Sequence, residues 1–492
     1  MLFNSYIFLF VFLPLTLLAF YGARSLGKMQ WSVPVLVIAS LTFYLTSGVF
    51  NFALLLGSIL LNFLVSQAAR SGSPGKARMA VALGIAADLV ILGYFKYFNF
   101  FVDNIAKATG HDMALHDIAL PVGISFFTFT QIAYLVDCLR SRSSERNLLT
   151  YALFVTIFPH LVAGPIIHHA RVRSQFDRLG HRALDPAMVA VGCTVFIIGL
   201  GKKVLLADNL AGTADLVFNA ADGGAAIGTA LAWTGTIAYT LQIYFDFSGY
   251  SDMAIGLALM FGLKLPINFD SPYKSTSIID FWRRWHITLS TWLRDYVYIP
   301  LGGNRDGELA RLRNVFVTML LGGVWHGAGL TFVVWGALHG FYIVSNHLIR
   351  KAVPGRLRDD RSSVRALKQG ATLLLVMIGW VFFRSASLDG AIAVLRALVH
   401  ADPAATAMAP DPVAVPVLLA AALIALFAPN TQKLVRYDDD PLAPIRWRGS
   451  SAFLGADRML GVNVPTALAC GSVLALCLAF IWRPSIFIYF NF

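Results

Sequence analysis

The sequence predicts an all-α, polytopic membrane protein, on three observations. Of 492 residues, 57% are hydrophobic and 13% charged, against about 25% charged in soluble domains. The mean hydropathy is +0.67. Apolar runs of bilayer length recur from end to end, and in lipid only helices and closed barrels satisfy their own backbone.

The elements follow in order. Apolar spans are centred near residues 12, 38, 57, 88, 128, 158, 197, 236, 256, 322, 341, 376, 420 and 474. Several are short or broken by Pro and Gly, which predicts roughly 11 to 14 membrane-embedded helices, some re-entrant. The first run has no basic leader and no small-residue cleavage site, so it reads as a retained span. No repeat and no low-complexity linker divides the chain. Arg350–Lys368 and Asn430–Val464 are the long polar stretches, each too short for a domain. The expectation is one integral-membrane domain, 1–492, with a catalytic core at about 120–345.

The formal charge of +12 is no nucleic-acid footprint. Its cations sit in short loops: Arg24 and Lys28; Arg70, Lys76 and Arg78; Arg140, Arg142 and Arg146; and the run Arg350 to Lys368. The positive-inside bias assigns these loops to the cytoplasm, with Phe101–Asp117 and the N-terminus outside. Cys138, Cys193, Cys470 and Cys477 lie in or beside apolar segments without metal spacing and read as packing residues.

Polarity concentrates between Tyr239 and Gly340. Val315–Gly340 is nearly uncharged yet carries His326, flanked by Trp325 and glycines. An ionisable side chain at such depth faces a cavity or a partner rather than lipid. His286 stands forty residues earlier, in Phe281-Trp282-Arg283-Arg284-Trp285-His286. Ile279–Tyr298 fits one helix with Trp282, His286, Leu289 and Leu293 on one face and Asp280, Arg284, Thr288, Thr291 and Asp295 opposite. On that stripe His286 suits packing or catalysis. Arg283, Arg284 and Arg294 suit headgroup anchoring or a phosphorylated donor such as coenzyme A or phosphopantetheine. Tyr244–Asp252 holds two carboxylates beside an apolar run. Either Ser248 or Ser251 caps a helix Met253–Leu263, or Asp246 or Asp252, near Tyr250, orients a histidine or an arginine. No ligand spacing supports a metal site. His160, His168, His169 and His339 have no partner that sequence identifies.

Taken together, these strings resemble the membrane-bound O-acyltransferase family, in its branch that acetylates bacterial polysaccharides such as alginate. The chain is similar also to the acyltransferases that D-alanylate teichoic acid. The resemblance rests on Pro121–Phe127, Phe158–Pro165, Tyr244–Gly256, Phe281–Arg305, Gly322–Gly340 and Phe487-Ile488-Tyr489-Phe490. It is strong over residues 1–345 and thinner beyond. Joint Arg-Arg-Trp-His and Trp-His-Gly at this spacing is its most specific part. It implies a many-helix body around a central funnel and tunnel, in the bacterial cytoplasmic (inner) membrane. The family's invariant histidine falls on His326 and its second active-site histidine on His286. The implied substrate is an acyl thioester (acetyl-CoA or similar), with no bound cofactor. Acyl transfer to a hydroxyl needs a base, and burial favours the neutral ring that serves as one. No serine elbow is present, so direct transfer is the simplest route. The implied partners are membrane lipid, the acyl donor and an extracytoplasmic acyltransferase or polysaccharide-modifying protein. D-alanyl or other acyl transfer to an envelope polymer is the alternative. A lipid-linked glycan transporter or flippase, with histidines as proton relays, is a remoter one, and no internal symmetry supports it.

Overall fold

A computed structural model describes all residues except 112–114, 180, 182–184, 354–360, 402–411, 413, 444–459, 462, 483–486 and 492, together with the side chains of 490 and 491. Among the described residues the chain is helical, with no strand. Parts of the polar stretches Phe101–Asp117, Arg350–Lys368 and Asn430–Val464 lie outside the described residues.

Among the described residues, six helices are long and apolar enough to cross a membrane: Phe8–Ser25, Val49–Ser71, Pro74–Thr109, Pro186–Asp222, Leu330–Ala352 and Ser362–Arg384. Met29–Leu45, Ala414–Phe427 and Val464–Phe480 are shorter apolar helices. Only 22% of the most apolar stretch of Pro74–Thr109 is buried, against 56% of that of Pro186–Asp222. The first helix therefore offers its Leu and Val residues to lipid, whereas the second is largely an interior element. Ile124–Ser141 is buried at every position from Ile124 to Leu135, so it has no lipid face. The apolar runs near 236 and 256 form one continuous helix, Thr229–Met260. No helix begins at Ser248 or Ser251, because both lie within that helix and are buried.

The chain folds as two compact units. The first comprises Met1–Leu200, Tyr250–Pro266 and Val435–Pro484, and the second Gly201–Gly249, Ile267–Leu434 and Ser485–Phe492. In the first unit a buried polar chain ties helices together: Asn62 donates to Asp88 at 2.9 Å, Gln131 to Ser58 at 2.7 Å, and Tyr151 to Gln131 at 3.1 Å. Lys264 donates to the carbonyls of Asp438, Asp440 and Ala443 at 2.8–3.0 Å. One ammonium thereby satisfies three backbone acceptors of a loop.

The second unit is organised by a tight helical hairpin. The apolar run Val315–Gly340 is not one span: Gly307–His326 ends at His326, Gly327 and Gly329 are extended, and Leu330–Ala352 turns back. A Cβ at Gly323 would lie 2.4 Å from the Phe332 carbonyl oxygen, and one at Gly336 would lie 2.7 Å from that of Met319. The two backbones touch through their glycines, as small residues allow inside membranes. This contact brings Trp335 against His326.

Gly336→Ala should therefore part the hairpin. Overpacking of this kind costs about 1–3 kcal/mol. A lower apparent Tm in detergent is expected, whereas Gly370→Ala, whose Cβ would meet nothing within 4 Å, should leave Tm unchanged or slightly raised.

Candidate active site

The helix expected over Ile279–Tyr298 is broken at its histidine. Ile278–Arg284 and Ile287–Leu293 are separate short helices, and His286 between them has φ +43° and ψ +54°. An L-residue in this left-handed region is sterically disfavoured and needs its surroundings to hold it. The backbone at Asn268 and Asp270 does so. Asp270 N–H donates to the Arg284 carbonyl at 2.9 Å and Ile287 N–H to that of Asn268 at 3.0 Å, one bond on each side of the break.

The Asn268 side chain completes the clamp. Its Oδ1 accepts from the Thr288 backbone N–H at 3.3 Å and the Thr288 hydroxyl at 3.0 Å, and it lies 3.1 Å from His286 Nδ1. An atom that accepts from a backbone N–H is an oxygen, so His286 Nδ1 carries the proton and donates. Nε2 then holds the lone pair. It is buried and has no hydrogen-bond partner. The residue is fully buried, outside the six long apolar helices, and desolvation pushes its pKa down to about 3. His286 is thus a neutral imidazole with an oriented acceptor nitrogen.

His326 closes the helix Gly307–His326 and is 3% exposed. Aromatic rings enclose it: Trp325 at 4.9 Å, Trp335 at 5.0 Å, Phe383 at 5.1 Å and Tyr489 at 5.7 Å between centroids. His286 bears on two of the same rings, Tyr489 at 6.3 Å and Trp325 at 6.4 Å. Tyr489 also packs on Phe247 at 4.2 Å, which packs on His286 at 4.7 Å. The two histidines therefore share one aromatic chamber within the second unit, with Tyr489 touching both.

The other expected residues are distributed unevenly. Trp325 is in the chamber. Trp285 lies beside it, packed 4.9 Å from Trp380. Arg283 is exposed. Arg284 pairs with Asp280 at 2.9 Å and lies 3.8 Å from Asp270, while the exposed Arg294 pairs with Asp295 at 2.7 Å. Asp246 orients neither a histidine nor an arginine. It pairs with Lys203 at 2.6 Å and accepts from Ile488 N–H at 2.9 Å. Tyr250 and Asp252 belong to the first unit, where Tyr250 stacks on Phe3 at 4.9 Å. His339 is fully buried and accepts from Trp282 Nε1–H at 3.2 Å. His160 lies 3.0 Å from the Phe154 carbonyl, and His169 3.5 Å from Glu145. No group of three or more His, Cys, Asp or Glu among the described residues is placed to hold a metal.

Sequence reasoning missed Asn268, Phe247, Phe383 and the part played by Tyr489. It also missed Lys203, for which a signal existed: an intramembrane cation calls for an intramembrane acid. Asn268 left no signal, since its role depends on a chain break that periodicity hides.

A family model described as MBOAT, membrane-bound O-acyltransferase family, matches residues 9–387. The chain is 46% identical over 397 residues to the Pseudomonas syringae pv. tomato protein named Probable alginate O-acetylase AlgI, covering 79% of this chain and 73% of that protein. It is 41% identical over 428 residues to the Peptidoglycan O-acetyltransferase of Helicobacter pylori, covering 81% and 80%. Similarity to the Teichoic acid D-alanyltransferase of Streptococcus thermophilus is 28% over 239 residues, or 46% of this chain and 56% of that protein.

Asn268→Leu should leave the Thr288 and His286 donors buried without an acceptor. The expected loss is about 1–3 kcal/mol per orphaned group, read as a lower apparent Tm in detergent. Selective ¹⁵N-histidine NMR should show the single His286 tautomer lost in the variant.

Proposed function

Because the chain belongs to the membrane-bound O-acyltransferase family, we propose that it moves an acetyl group from a cytoplasmic thioester such as acetyl-CoA across the membrane, for O-acetylation of an exopolysaccharide such as alginate. It is a multi-pass membrane O-acyltransferase. The proposal takes the whole chain as one acyltransferase with its core at about 120–345, in the bacterial inner membrane with its N-terminus outside. An extracytoplasmic acyltransferase or polysaccharide-modifying protein receives the acyl group. Acetyl is preferred to D-alanyl because identity to the acetylases extends over far more of the chain, 46% over 397 residues against 28% over 239.

The observation that carries the reading is the shared aromatic chamber of His286 and His326. The acceptor hydroxyl oxygen attacks the thioester carbonyl carbon. A C–O bond forms, the C–S bond breaks, and the thiolate leaves to take up a proton. The hydroxyl proton must depart during attack, and an imidazole receives it, an effect of about 10² to 10⁴ in rate. We assign that base to His326. His286 presents a lone pair at Nε2 and so positions a substrate group by accepting its hydrogen bond. The enclosing rings exclude water, which protects the thioester from hydrolysis. Arg283, Arg284 and Arg294 remain candidates for the donor's phosphates, although Arg284 and Arg294 already face carboxylates.

His326→Ala should abolish polymer O-acetylation at normal protein abundance, and His286→Ala should weaken it less completely. Wild-type acetylation by His326→Ala would refute the assignment. In sealed vesicles with labelled acetyl-CoA on the cytoplasmic face only, label should reach an outside acceptor and vanish with His326→Ala. Label confined to inward-facing acceptors would end the cross-membrane proposal.

A further inference from the structure

The polar cluster beside the chamber has no part in the chemistry above. Lys203 is 3% exposed and pairs with Asp246 at 2.6 Å and Asp208 at 2.8 Å. Asp246 is 2% exposed. Burying an ammonium with a carboxylate is costly, and such pairs are often no more stable than apolar replacements. The second oxygen of Asp246 accepts the backbone N–H of Ile488 at 2.9 Å. The residue after Asp246 is Phe247, whose ring meets Tyr489 at 4.2 Å and Phe487 at 5.8 Å. Two successive residues of one helix thus grip the segment Phe487–Tyr489, one by a charged hydrogen bond and one by its ring. Tyr489, like Trp325, is a ring that bears on both histidines.

We propose that Asp246 and Lys203 are positioning residues for the reaction, acting through the segment Phe487–Tyr489. Lys203 holds the Asp246 carboxylate in its rotamer. Asp246 fixes the main chain at Ile488, and the next residue is thereby set between His286 and His326. A backbone N–H as the contact point makes the grip independent of the side chain at 488. The inference rests on the acyl-transfer reading for its kinetic readout alone, since its structural readout needs no turnover.

The test removes the contact from each side. Ile488→Pro deletes the N–H donor and Ile488→Val keeps it; Asp246→Leu deletes the acceptor and Asp246→Asn keeps one. We expect Ile488→Pro and Asp246→Leu each to lower kcat about tenfold, the scale of one hydrogen bond to a charged group. Donor KM should stay within about twofold, since the loss falls on the reacting geometry. Ile488→Val should turn over normally, and Asp246→Asn should fall between Asp246→Leu and wild type. The double variant Asp246→Leu/Ile488→Pro should be little worse than either single one. The structural readout places a cysteine at 488 in a protein whose four native cysteines are replaced. Maleimide labelling of Ile488→Cys should quicken about tenfold when Asp246→Leu is added, following the loosened segment. Fully additive kcat losses, normal turnover by Ile488→Pro, or unchanged labelling would each overturn the proposal. Should Asp246→Leu fail to fold, Ile488→Pro tests the same contact while leaving the Lys203–Asp246 pair intact. Loss of transfer in His326→Ala bears on the acyl-transfer reading and leaves the labelling result standing.

Discussion

The site depends on one side-chain oxygen. Asn268 Oδ1 receives two donors from Thr288 and faces His286 Nδ1 at 3.1 Å, which holds the left-handed turn at His286. In a dry interior such an acceptor is held to its partners, because leaving any of them unpaired has a desolvation penalty that water cannot relieve. The same bond fixes the imidazole tautomer. Backbone strain and the orientation of the His286 ring are therefore one arrangement: the turn that breaks the helix also aims Nε2.

Around this point the molecule uses contact rather than charge. Gly323 and Gly336 let two helix backbones meet, and the closeness places Trp335 5.0 Å from His326. Phe383, Trp325 and Tyr489 complete the enclosure. Aromatic rings fill the space around the imidazole with apolar surface. Glycine at the crossing and bulk at the chamber are complementary demands on one hairpin.

Charge appears where the chain must be held rather than where it reacts. Lys203 and Asp246 form a buried pair adjoining Ile488, with the half-buried Asp208 beside the lysine, while Arg284 and Arg294 are paired near the surface of the unit. An ion pair in low dielectric is strong and directional, which suits fixing a main-chain segment. Exposed pairs of the second kind contribute little to stability.

The sequence by itself determined the membrane setting, the helical class and the two histidines. These follow from composition, from apolar run length and from the rarity of ionisable groups in such runs, all of which are local properties. It also carried the family strings around Trp282–His286 and Trp325-His326-Gly327. Tertiary structure alone decided the rest. Helical periodicity over Ile279–Tyr298 fitted an unbroken helix, because the stripe it produces is the same whether or not one residue turns left-handed; the break comes from hydrogen bonds to Asn268, eighteen positions away. Asp246 looked like a partner for histidine or arginine until folding supplied Lys203, forty-three positions earlier in sequence, at 2.6 Å. Tyr489 could be seen as part of a family string, but its place between two histidines more than 160 residues earlier depends on long-range packing. Pattern reports which face is apolar; which groups meet across the fold is settled by the competition among buried polar atoms for the few partners a dry interior offers.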